Sequence, residues 1–308
     1  MDIVERIVEE MKEVWLKTKR EYISISPEEC ENLTQFDSKF GGIPYMPDGF
    51  EYPYSRSDPD QPLKLLAQIN FDDVPTLRDF PERGILQIYI NPANQLWYGC
   101  DSVMRSERGY LRRKINMYGY GGKVGKYEAE RYSILRDMKL DSEYQNEYRV
   151  IFHENVNYYA DNTDKVPASV REDDKYFVVE KPMKLLFGTD EEYVPYDEAG
   201  LSERFLELYT KYTGEEPDEI DDIDDARWSL EQAFDSTRNG WTKIGGYRID
   251  PGTQEAQWSE DDDDILLLQI SSRKGIRFGD DGIAHFAMSR EELRNRDFSG
   301  VFYDWVGY

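Results

Sequence analysis

The chain is expected to fold as an internally duplicated α+β protein: two related, mainly antiparallel sheet halves with peripheral helices. Two observations predict this. First, one pattern occurs twice. Lys39-Phe-Gly-Gly-Ile-Pro-Tyr-Met-Pro47 is followed by an apolar run closing on Gln68-Ile69 and by Gly84-Ile-Leu-Gln-Ile-Tyr-Ile90. Lys243-Ile-Gly-Gly-Tyr-Arg-Ile-Asp-Pro251 is followed by a run closing on Gln269-Ile270 and by Gly282-Ile-Ala-His-Phe-Ala-Met288. Second, strand signals cluster at two places with helices between and around them, rather than alternating as βαβ units. The expected organisation is an N-terminal amphipathic helix within residues 1–24 and one unit over 25–308, made of repeats at about 36–160 and 175–308.

Residues 2–20 place Ile3, Val4, Ile7, Val8, Met11, Val14 and Trp15 at helical spacing, which predicts a helix with one apolar face. Ser26-Pro-Glu-Glu29 carries an N-cap residue, a proline at the first helical position and a capping glutamate, so a short helix is expected there. The Gly- and Pro-rich stretch 40–62 predicts a long ordered loop. Leu63–Phe71 and Ile85–Ile90 read as strands, the first apolar enough to be buried on both faces. The interval 101–139 is a basic, Tyr-rich insert between the two copies.

Tyr176–Leu186 is a further strand candidate, with Pro182 marking an edge or bulge. Ser202–Tyr212 is expected to be a helix with Phe205, Leu208 and Tyr209 on one face, and a second helix is expected over Asp224–Phe234. Ser289-Arg-Glu-Glu292 is a capping box that should start a helix directly after a strand. Phe298–Trp305 should close the chain as an aromatic strand.

The 308 residues carry 63 acidic against 38 basic side chains, a formal charge of −25. Such a field disfavours nucleic acid and anionic membranes and favours a basic protein partner or simple solubility. The two cysteines, Cys30 and Cys100, lack metal-site spacing, and neither a signal-like start nor an 18-residue apolar run is present. The cytoplasm is the expected compartment. No cofactor is expected, and two histidines are too few for a His-dominated metal centre. The Gly119–Gly125 patch lacks the Ser or Thr of a phosphate loop and is read as a hairpin.

Candidates for chemistry are few. His285 takes the position of Gln87 in the other copy, which suggests hydrogen bonding between the halves; it is also a catalytic candidate together with Asp280 or Asp281. Gln68 and Gln269 are expected to serve the backbone of the Gly-Gly loops at Gly41-Gly42 and Gly245-Gly246. The aspartates at 221, 222, 224, 225 and 261–264 lack a calcium-loop pattern and are read as solubilising or turn-forming residues. Tyr45, Phe50, Tyr52, Tyr54, Trp97 and Tyr98 are loop aromatics that could form a binding surface or equally pin a long loop onto the core.

The chain resembles the YwqG-like family, a bacterial family of unknown function. The resemblance rests on Phe40–Pro47, Leu65-Leu-Ala-Gln-Ile-Asn-Phe71, Phe80–Gln87, Leu266–Ile270, Phe278-Gly-Asp-Asp-Gly-Ile-Ala-His-Phe286 and Asp297–Trp305. Phe278 stands where the family usually has Trp. The resemblance implies a single duplicated α+β unit and no catalytic residues. The expected function is non-enzymatic binding of a basic protein, of the immunity type. The alternative is a hydrolase using carboxylates and His285 in the cleft between the halves, and oligomeric state is open.

Overall fold

The structure is a computed structural model that describes residues 3–93, 98–100, 145–193, 201–214, 241–248, 264–273 and 275–307. Its centre is a curled ten-stranded sheet, antiparallel at every pairing, with strand order β10-β9-β8-β7-β1-β6-β2-β3-β4-β5. The strands are β1 Arg20–Glu29, β2 Lys39–Phe40, β3 Lys64–Asn70, β4 Ile85–Ile90, β5 Tyr148–His153, β6 Met183–Glu192, β7 Lys243–Gly245, β8 Asp264–Ser271, β9 Ile283–Ser289 and β10 Phe302–Val306. The helices are α1 Ile3–Trp15, α2 Ala168–Arg171, α3 Leu201–Thr213 and α4 Arg290–Arg294. An α+β fold with a mainly antiparallel sheet is therefore what the chain adopts.

The apolar spacing of α1 turns Ile7, Met11 and Trp15 to one side, where they pack on Phe205 and Leu208 of α3. The helix ends earlier than the periodicity suggests, passing through a 3-10 turn at Leu16–Thr18 into β1. β1 itself corrects the helix expected after Ser26. Tyr22, Ile23 and Ile25 are buried in the middle of the sheet, and β-branched residues suit that setting better than a helix. Pro27 is tolerated there. Its nitrogen faces the β7 side, where the ladder has already ended with Ile25 N–H donating to Thr242 O at 2.9 Å.

Two further boundaries shift. β6 begins at Met183, after Pro182, whereas Phe177, Val178 and Val179 enter the core as loop residues. The segment Phe298–Val301 is a turn that packs Phe298 and Val301 before β10 starts. The helix expected from Ser202, the strands from Leu63 and Ile85, and the capping box at Ser289 are all present, with Ser289 Oγ accepting from Glu292 N–H at 3.2 Å. The helix expected over 224–234, the insert at 101–139, the Gly119–Gly125 patch, Trp97 and the aspartates at 221–225 and 261–263 lie outside the described residues.

The two ends of the sheet share one register. Lys39, Gln68, Gln87 and Ile151 lie side by side across β2 to β5, and Lys243, Gln269, His285 and Asp304 across β7 to β10. Each end has a register shift at one place, Leu65/Ala67 and Leu266/Leu268. The main core takes Ile69, Leu86, Ile88 and Val150 from one end and Leu268, Ile270, Phe286 and Tyr303 from the other. Curling brings the edge strands together through side chains: Tyr148 Oη donates to Val301 O at 2.9 Å, and its ring meets Tyr303 edge-on at 5.3 Å. An exposed sheet edge is a template for aggregation, so this contact protects both.

Candidate functional site

At the β2–β5 end the polar row is fully occupied by loop backbone. Gln68 Oε1 accepts from Tyr45 N–H at 2.8 Å, while its Nε2 donates to Gln35 O and Asp37 O. Gln87 Nε2 donates to Tyr45 O and Gln68 Oε1, and its Oε1 accepts from Tyr89 Oη at 2.9 Å. That leaves His153 Nε2, also 2.9 Å from Gln87 Oε1, as a proton donor. Burial lowers the His153 pKa to about 4. The glutamines thus bind the loops that flank the Gly-Gly pair. Gln269 likewise donates to Trp241 O at 2.9 Å, next to Gly245-Gly246.

The two register-equivalent lysines have different partners. Lys243 is fully buried, and its Nζ lies 2.7 Å from both carboxylate oxygens of Glu192, which also accepts from Tyr247 N–H at 2.5 Å. Burial pushes the lysine down and the glutamate up from their ordinary values, and each charge opposes the other's shift. Lys39 is equally buried, but its Nζ donates to a backbone carbonyl, Thr34 O, at 2.5 Å. Burial lowers its pKa to about 7, with only Asp37 acting to raise it.

His285 is buried, with Nδ1 3.3 Å from Asp304 Oδ1 on the adjacent strand. Arg248 Nη2 reaches the other oxygen, Oδ2, at 3.0 Å. Burial alone would raise Asp304; the Arg248 and His285 charges and hydrogen bonds outweigh it and hold the carboxyl well below the usual range. The His285 contact to Asp304 joins neighbouring strands at the same end of the sheet. Asp280 and Asp281 occupy an exposed turn before β9, Asp281 with φ 51°, whereas His285 lies inside the sheet. The carboxylate beside His285 is therefore Asp304, which sequence reasoning did not single out.

The loop aromatics are mostly structural. Tyr45 is 0% exposed, and its hydroxyl accepts from Asn157 N–H at 2.9 Å, so it is removed from the expected binding surface. Tyr52 donates to Leu63 O at 2.7 Å and packs against Tyr89. Phe50 is half-buried, edge-on to His153. Tyr98 packs on Phe278 and Trp305, and its hydroxyl accepts from Gly279 N–H. These rings pin loops to the body.

An open cavity of about 410 Å³ lies elsewhere. It is lined by Lys19, Arg20 and Glu21 around the start of β1, Leu77, Arg78 and Phe80 in the loop after β3, Gly245 and Gly246 at the end of β7, Ile265 and Leu266 of β8, and Arg290 of α4. Both glycines hold left-handed backbone, φ 74° and 72°, as Gly41 and Gly42 do at 65° and 76°. A side chain on Gly245 would strike Leu77 at 2.7 Å, so glycine keeps this wall close to the opposite loop. The loop is clamped by Asp79, which accepts from Arg290 at 2.5 Å and Arg294 at 2.8 Å. The arginines of this cavity were missed because they are far apart in sequence. The Gly-Gly pair was the one visible signal.

The family model of a domain of unknown function, DUF1963, matches residues 38–306, which takes in the sheet from β2 to β10. The chain belongs to the DUF1963 family. No curated protein matches it. Among the described residues of this DUF1963 chain, no group of three or more His, Cys, Asp or Glu could hold a metal ion, and no helix is long and apolar enough to cross a membrane.

Proposed function

We propose that this DUF1963 protein is a non-enzymatic cytoplasmic binding protein of the YwqG-like type. In this reading it is built from two tandem five-strand repeats that hold a ligand in the groove between them. Support for the repeats comes from the mirrored strand order about β1 and β6, the shared register and the paired left-handed glycines. β1 pairs with β7 and β6 with β2, so each repeat lends its first strand to the other.

The observation that carries the binding reading is the cavity itself, lined by residues of β1 and the loop after β3 together with residues of β7, β8 and α4. Its size suits a small ligand. Against a hydrolase stand the burial of His285 and the exposed, separate turn that holds Asp280 and Asp281. The net charge of −25 favours a second surface that engages a basic protein of the immunity type. The test is native mass spectrometry of the purified chain after incubation with a fractionated metabolite extract. A ligand retained and released chemically unchanged supports binding; conversion of that ligand to a product refutes it.

A further inference from the structure

We infer that the groove takes an amphiphilic anion: an apolar body against Leu77, Phe80, Ile265 and Leu266, with one carboxylate or phosphate at the arginines. The inference deepens the proposed binding reading and rests on it. In a chain carrying −25 overall, this cavity is lined by four cations, Lys19, Arg20, Arg78 and Arg290, and by a single carboxylate, Glu21.

Two of those cations are already engaged: Lys19 contacts Glu191 at 2.6 Å and Arg290 contacts Asp79 at 2.5 Å. Arg20 lies over the Tyr247 ring at 4.2 Å, and its charge also acts on the Glu192 carboxylate, its cross-strand partner. Arg78 is 83% exposed in its side chain, and its nearest carboxylate, Asp79, is 3.9 Å away. A guanidinium fork matches a carboxylate or phosphate with two parallel hydrogen bonds. Local charge therefore selects an anion where the long-range field would repel one, and the apolar wall selects its tail.

The experiment is calorimetric titration of the full chain with octyl phosphate, octanoate, octan-1-ol and octylamine, repeated on Arg78→Glu and, as a remote control of equal charge change, Arg204→Glu. Arg204 is exposed on α3, away from the groove. Expected is binding of octyl phosphate or octanoate about tenfold or more tighter than octan-1-ol, the size of one charge-assisted contact. Arg78→Glu should abolish that advantage and Arg204→Glu should keep it. Phosphate against carboxylate preference is read from the two anions. Equal binding of octan-1-ol with Arg78→Glu unaffected overturns the anion class while the groove reading stands. Preference for octylamine, or binding of none of the four probes, overturns the inference. Circular dichroism of both variants confirms that the fold is kept.

Discussion

Replacing the two register-equivalent lysines by methionine should have sharply different effects. Lys243→Met removes the ion-pair partner of Glu192, leaving a carboxylate that is 9% exposed and keeps the Tyr247 N–H and the more weakly acting Arg20 charge. Breaking a buried ion pair from one side costs about 3–5 kcal/mol, because the orphaned charge stays buried. That is a drop in Tm of about 6–10 °C, taking about 2 °C per kcal/mol for a chain of this size. Lys39→Met instead removes an amine that faces a carbonyl. The loss of the Thr34 O contact, about 1–3 kcal/mol, is set against relief of the burial that lowers the Lys39 pKa to about 7. The net change at neutral pH should therefore be small or stabilising, well short of the loss for Lys243→Met. The pH dependence is a second signature. Lys39 titrates near 7 folded and near its ordinary value of 10.5 unfolded, so the unfolded state binds the extra proton between those limits. Wild-type stability should rise with pH across that window through this group, its penalty fully present below 7, and Lys39→Met should flatten the slope. Urea unfolding followed by circular dichroism measures both. Equal losses for the two variants would refute the assignment of Glu192 as the partner that distinguishes them.

His153 provides a complementary acid-side test. Its pKa of about 4 lies below the ordinary 6.5, so the unfolded state binds the proton first and stability should fall as pH drops from about 6.5 towards 4; an imidazole NMR signal titrating near 6.5 in the folded state would contradict this. Gly246→Ala should cost about 3 kcal/mol more than Gly49→Ala in denaturant melts. Both glycines have φ above 70°, but a Cβ at Gly246 lands on the Glu192 carboxylate whereas one at Gly49 meets open space. Tyr148→Phe removes the bond to Val301 O that helps tie β5 to β10, and should cost about 1 kcal/mol in the same melts while speeding amide exchange in β10.

Much of the sheet was legible because its strands carry their own signals. The runs at Leu65–Ile69 and Ile85–Ile90 are buried on both faces, and such strands read as unbroken apolar segments. The capping box at Ser289 was equally local. β1 was misread because Ser26-Pro-Glu-Glu29 has cap chemistry, and only tertiary placement reveals that Pro27 faces the side where pairing has stopped. The matching positions of Gln87 and His285 were visible in spacing, but not their partners. Asp304 and Arg248 reach His285's neighbourhood from β10 and from the chain after β7. The groove was legible only through Gly245-Gly246, since Arg20, Arg78 and Arg290 converge through the curl of the sheet and are remote in sequence.

The proposed ligand groove is tested most directly by hydrogen-exchange mass spectrometry of the full chain with and without saturating octyl phosphate. Slowed exchange is expected to be confined to residues 19–21, 77–80, 245–246, 265–266 and the start of α4 at 290, the segments that line the cavity. Protection centred instead on the aromatic loop at residues 50–54, or no protection at the cavity segments at ligand saturation, would contradict it.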